Sequence, residues 1–129
     1  MSSVAEFNRE LNAWAAKRLP TEVRDLTKRV ALEGFRRIVF RNRVDTGRSR
    51  GAWLIEINKP ASGEGQPDKN GGSTVADGIS RLGALKPFQD VHITNNVEYV
   101  SYLEEGSSQQ APAGMVDVTF EELRSIFGR

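Results

Sequence analysis

Residues 44–58 read Val44-Asp-Thr-Gly-Arg-Ser-Arg-Gly-Ala-Trp-Leu-Ile-Glu-Ile-Asn58. Asp45, Thr46 and Gly47 are turn formers. The residues that follow, 52–58, are rich in aromatic and β-branched types. They predict a strand with Trp53, Ile55 and Ile57 on one face. Leu54 lies on the other face, so that side is expected to be partly covered. A second strand is expected over 90–95, where Val91 and Ile93 alternate with His92 and Thr94. Helical patterns flank both. The expected class is α+β: N-terminal helices packed on a small, mainly antiparallel β-sheet, with a C-terminal helix.

Upstream, Val4, Phe7, Leu11, Trp14 and Ala15 recur at spacings of three and four, which predicts an amphipathic helix over 4–18. Ser3 suits its N-cap, with Glu6 in capping-box position. Pro20 is expected to break it, because the residue before proline is pushed out of the helical region. A second helix is expected over 21–40, with Val23, Leu26, Val30 and Ile38 on one face and Phe35 near its edge. Glu22 and Asp25 in the first turn, and Arg36, Arg37, Arg41 and Arg43 at the last, suit the helix dipole. Gly34 would let another backbone approach closely.

Downstream, residues 60–78 hold two prolines, five glycines and Val75 as the only large apolar residue. They read as a long flexible loop that builds no core face. Residues 79–87 fit a short helix or an edge segment. In 97–105, Tyr99, Tyr102 and Leu103 fall at helical spacing, with Gly106 as a stop. In the last segment Val116, Phe120, Leu123 and Phe127 fall at helical spacing, although 115–118 also suits a strand. There is no internal repeat.

At 129 residues, 38% hydrophobic and 27% charged, the chain suits one soluble domain over 1–129. No apolar run approaches the ~20 residues of a membrane span, and the start lacks the layout of a secretory signal. Cysteine is absent, which excludes disulfides and thiolate metal sites and suits folding in a reducing cytosol. The net charge of +1 is unevenly placed. Residues 1–50 carry twelve Lys/Arg against six Asp/Glu, and residues 51–129 carry six against eleven. A dipolar domain of this kind suits head-to-tail packing of identical subunits. The other reading of the same charges is a set of solvated helix faces.

The sequence offers no catalytic or metal constellation and calls for no cofactor. His92 is the single histidine and sits inside an expected strand, where a solvated or hydrogen-bonded side chain is the ordinary case. Zinc would need several His or Cys ligands. Glu104-Glu105 and Glu121-Glu122 are adjacent pairs whose side chains diverge on a helix, so neither forms a carboxylate dyad. Gly47-Arg-Ser-Arg-Gly51 lacks the spacing and the Lys-Ser/Thr ending of a phosphate loop. Its arginines still offer charge-assisted hydrogen bonds, for which acidic groups on a neighbouring subunit are the preferred target. The candidate subunit interface is therefore Arg41, Arg43, Asp45, Arg48 and Arg50, together with Tyr99, Tyr102, Glu104 and Glu105. The alternative is a nucleic-acid-binding regulator using the basic N-terminal helices.

The order of these segments resembles the small neck or tail-completion proteins of long-tailed bacteriophages. That family has a "v-D-T-G-x-L-x-x-S" turn before a strand, met here by Val44-Asp-Thr-Gly-Arg-Ser-Arg-Gly. An "N-x-x-x-Y-a-x-y-L-E-x-G" segment follows, met by Asn95-Asn-Val-Glu-Tyr-Val-Ser-Tyr-Leu-Glu-Glu-Gly106. An "A-P-x-G-M" segment is met by Ala111-Pro-Ala-Gly-Met115. Arg50-Gly51 departs from the small or apolar residues usual after the turn. The likeness spans about residues 20–127. It implies a virion structural protein, assembled in the host bacterial cytoplasm and forming a homo-oligomeric ring. Six copies are favoured over twelve. Its neighbours would be head-connector, tail-terminator or tail-tube proteins, with non-specific DNA contact in the lumen and no membrane. By the same likeness Asp45, Thr46 and Gly47 set one turn, and Tyr99, Tyr102, Leu103, Glu104 and Gly106 form the second signature. The family has no catalytic residue to transfer.

Overall fold

The long N-terminal helix is organised by apolar residues near its end, not its beginning. In a computed structural model, which describes residues 3–42, 44, 46–97 and 115–128, the chain opens with α1 (Ser3–Ala13). Five residues of π-helix follow (Trp14–Arg18), and then α2 (Leu19–Arg41). Pro20 does not end the helix, contrary to the sequence expectation. It falls in the first turn of α2. In α register its ring would press on the carbonyl four residues back. The wider π turn, closed by the Leu19 N–H on the Trp14 carbonyl, absorbs it instead.

On α2 the buried residues are Ala31, Gly34, Phe35, Ile38 and Val39. Phe35 is at the centre of the core, not at the edge of an apolar face, and Leu26 is half exposed. Gly47, at φ 85°, then turns the chain into a four-residue helix, α3 (Arg48–Gly51), ahead of β1 (Leu54–Ile57). β1 pairs antiparallel with β2 (Val91–Thr94), with Ile55 opposite Ile93 and Glu56 opposite His92. The α+β expectation holds, with a sheet of two strands among the described residues. Trp53 and Ile55 join Phe35, Ile38, Val39, Leu82 and Met115 in one cluster, with Val91 and Ile93 packed against it. Each such side chain contributes about 1.5–3 kcal/mol by leaving water.

The 60–78 segment needs correction over its second half. Helix α4 (Gly72–Leu82) begins inside it and buries Thr74, Gly78 and Leu82. Up to residue 78 the buried positions are the small Thr74 and Gly78, and the apolar period Val75, Ile79, Leu82 shows only when 60–78 and 79–87 are read as one segment. Its first turn is held by Asp68. One carboxylate oxygen accepts the Gly71 N–H at 3.1 Å, and the other accepts the Thr74 N–H and hydroxyl, both at 2.8 Å. The last element, α5 (Met115–Phe127), is helical from Met115 onward. It buries Met115 and Thr119, while Val116 and Phe120 stay exposed.

Candidate functional site

The turn after α2 gathers the arginines that the sequence singles out, and it uses them within the chain. Arg50 Nη2 donates to the carbonyls of Phe40 at 3.1 Å and Asn42 at 2.9 Å, and Nη1 donates to that of Lys69 at 2.8 Å. It thereby caps the end of α2, whose last carbonyls have no helical partner, and ties it to the segment before α4. Burial lowers the Arg50 pKa, opposed by the charge of Asp68. Burial of Asp68 pushes its carboxyl up. The Thr74 and Gly71 hydrogen bonds and the Arg50 charge outweigh that, so its pKa is lowered.

Arg41 donates to the Thr119 hydroxyl at 2.8 Å and pairs with Glu122, which also takes Arg37 at 3.3 Å. Arg37 and Arg36 hold Glu33 at 3.1 and 2.9 Å. The Thr119 and Glu122 contacts clamp α5 to α2, while the Glu33 pairs lie within α2. Hydrogen bonding to Arg41 keeps Glu122 below the ordinary Glu value, and hydrogen bonding to Arg37 does the same for Glu33. Arg48 forks onto Glu64 at 2.9 and 3.3 Å on the surface. Thr46 and Gly47 shape the turn, the Thr46 hydroxyl accepting the Arg48 N–H at 3.2 Å.

Of the expected interface, then, Arg41, Arg48 and Arg50 are all engaged inside the subunit, and only Arg48 does so at the surface in an ion pair. Arg43, Asp45, Tyr99, Tyr102, Glu104, Glu105 and Gly106 lie outside the described residues. A surface pair such as Arg48–Glu64 contributes about 0–1 kcal/mol. Arg48→Glu is therefore expected to lower the melting temperature little and to weaken self-association more. Equal losses in light scattering and thermal melts would remove Arg48 from the interface.

The lowered carboxyl pKa values carry a pH signature. Groups whose folded pKa is depressed stabilise fully above their unfolded values, 4.5 for Glu33 and Glu122 and 3.8 for Asp68. That stability is lost as pH falls through the folded values. The melting temperature should be nearly flat between pH 7 and 5, from these groups, and fall below about pH 4. Glu122→Gln should flatten part of that fall. An unchanged acid limb in the variant would show that Glu122 does not contribute to it.

The sequence pattern left a second feature unread. α2, β2 and α5 enclose an apolar groove of about 530 Å³, within the size range of binding pockets. Leu26, Val30 and Ile38 line it along α2, Val91 and Ile93 from β2, and Phe120 from α5. Gly34 lies in its floor, where an added Cβ would sit 3.0 Å from Leu123 Cδ1. The glycine lets α5 come close beside the groove. The signal for this groove was present in the spacing of Leu26 with Val30 and of Val116 with Phe120, but the same spacing describes a core face.

α1 is the third feature. None of its side chains is buried, nor any of the π turn that follows, and Val4, Phe7 and Leu11 of α1 with Trp14 of the π turn remain 68%, 61%, 46% and 37% exposed. Among the described residues no group of three or more His, Asp or Glu is placed to hold a metal ion, and no helix is long and apolar enough to cross a membrane. Compared with family models, with curated proteins and with solved structures, the chain matches none.

Proposed function

We propose that this chain is a virion structural subunit that repeats around a ring in the neck of a long-tailed bacteriophage. It would sit between head connector and tail tube, help to join or complete the tail, and let DNA pass through its lumen. The observation that carries the reading is the apolar stripe of α1, which stands clear of the subunit's own core. A helix of this kind is stable in water only when something covers it. The order of turn, strand and C-terminal segments, which resembles the neck and tail-completion family, supports the same reading. The arginine cluster gives less support to a nucleic-acid regulator than its count suggests. Arg36, Arg37, Arg41, Arg48 and Arg50 are each engaged by an acid or a carbonyl of the same chain.

Light scattering tests the proposal. A ring of six should have six times the 14.3 kDa chain mass, about 86 kDa, with a hole visible by negative-stain microscopy. A chain that stays monomeric up to about 1 mM, where even weak interfaces associate, would overturn it.

A further inference from the structure

We infer that the helical segment 3–18 of one copy lies in the groove between α2, β2 and α5 of the next. This rests on the ring reading above and names the contact that would build it. The stripe Val4, Phe7, Leu11, Trp14 follows a strict three–four–three spacing, the narrow seam of a helix that packs on another helix. It spans ten residues, about 15 Å at 1.5 Å per residue. The groove floor on α2 runs from Leu26 to Ile38, twelve residues or about 18 Å. A helix laid into an apolar groove by such anchors is a recurrent mode of recognition.

The occupant has to come from another copy. α1, the π turn and α2 form one uninterrupted helical run, and the groove floor belongs to the same run. For the stripe to enter its own groove, that run would have to break and reverse within the residues between Trp14 and Leu26. Passed head to tail, the contact is heterologous: one surface of each copy meets a different surface of the next, which generates a ring when the rotation closes, whereas a reciprocal exchange between two copies would stop at a pair.

A single contact of this kind is small. Taking about 150–250 Å² for a large side chain, the stripe exposes roughly 400 Å². On the same footing the half-exposed Leu26 and Phe120 with Val116 add roughly 300 Å². The sum, roughly 700 Å², is below the ~1,200 Å² at which stable pairs begin. Each copy in a closed ring gives one stripe and offers one groove, so two contacts of that size hold it, and closure of the ring supplies the persistence that one contact lacks.

The chain has no cysteine, so single thiols can report the contact. Phe7→Cys and Phe120→Cys chains, one carrying a mass tag, are mixed in equal amounts and oxidised. Most of the disulfide should join Phe7→Cys to Phe120→Cys, and the double variant should give a ladder of linked copies. Phe7→Asp should weaken association roughly 30-fold or more, as a hot-spot loss does, while the melting temperature at concentrations where both chains are monomeric stays unchanged. An oligomer that forms without the mixed disulfide, or that links Phe7→Cys to itself, would overturn the contact and leave the ring standing. So would an oligomer indifferent to Phe7→Asp. A unmodified chain that never associates would overturn the ring and the contact together.

Discussion

Trp53→Ala is expected to lower the unfolding free energy by about 3–5 kcal/mol, a large share of the 5–15 kcal/mol typical of a domain. Trp53 is 5% exposed and sits at the entry to β1 in the central cluster. Its loss leaves a cavity that the short sheet is poorly placed to close. The indole is also a polar partner. Its Nε1 donates to Asn42 Oδ1 at 2.9 Å, and Asn42 Nδ2 donates to the Ser49 hydroxyl at 2.9 Å. Asn42 is 1% exposed, so this link holds the end of α2, the short α3 and β1 together out of water, where hydrogen bonds must be made. Trp53→Phe separates the two contributions. It keeps most of the volume and should cost about 1 kcal/mol, the net worth of one hydrogen bond, since Ser49 still reaches Asn42 Oδ1 at 3.2 Å. Urea denaturation measures both. Near-native stability in Trp53→Ala would show that the packing at β1 is not limiting.

The sheet was legible because its signal is local. Trp53, Ile55 and Ile57 alternate, as do Val91 and Ile93, and the observed register pairs the two runs face to face. α2 was legible in extent but less so in orientation. Its sequence carries apolar residues on two sides, one serving the core through Phe35 and Val39, the other lining the groove through Leu26 and Val30. Periodicity detects a helix but does not say which of two apolar faces goes inward. α4 was hidden for the opposite reason. Its period, Val75, Ile79 and Leu82, straddles the end of the glycine-rich stretch, and the buried Thr74 and Gly78 are too small to announce a core face. The mark that was there to be read is Asp68, whose carboxylate collects N–H groups three and six residues on, as acids at helix starts do.

The candidate site was less legible, because arginine count does not disclose arginine partners. A cluster at the end of a helix looks like a surface charge feature. Here Arg50 reaches three backbone carbonyls and Arg41 reaches α5, 78 residues away in sequence. Those partners are non-local, and nothing near the arginines in the chain announces them. The exposed stripe of α1 has the same ambiguity in reverse. Its pattern is that of a buried helix face, and only the fold places it away from the subunit's own core.

Phe35→Ala is expected to cost about 3–5 kcal/mol as well, for a reason that involves a second helix. Phe35 is fully buried, and its ring lies across Gly78 of α4. A Cβ added at Gly78 would stand 2.6 Å from Cε2 and 2.9 Å from Cδ2 of that ring, and 3.1 Å from Ile55 Cδ1. The ring has no solvent side to move into. Gly78→Ala should therefore destabilise by about 1–3 kcal/mol through overpacking, although alanine is the better helix former by ~1 kcal/mol. The two positions should be coupled. Phe35→Leu removes the ring atoms that the new methyl would strike, so Phe35→Leu/Gly78→Ala should be more stable than the sum of the single losses, by at least about 0.5 kcal/mol. Simple additivity in the urea cycle would mean that α4 shifts to admit the methyl on its own. The smallness of Gly78 would then not be what brings α4 onto α2.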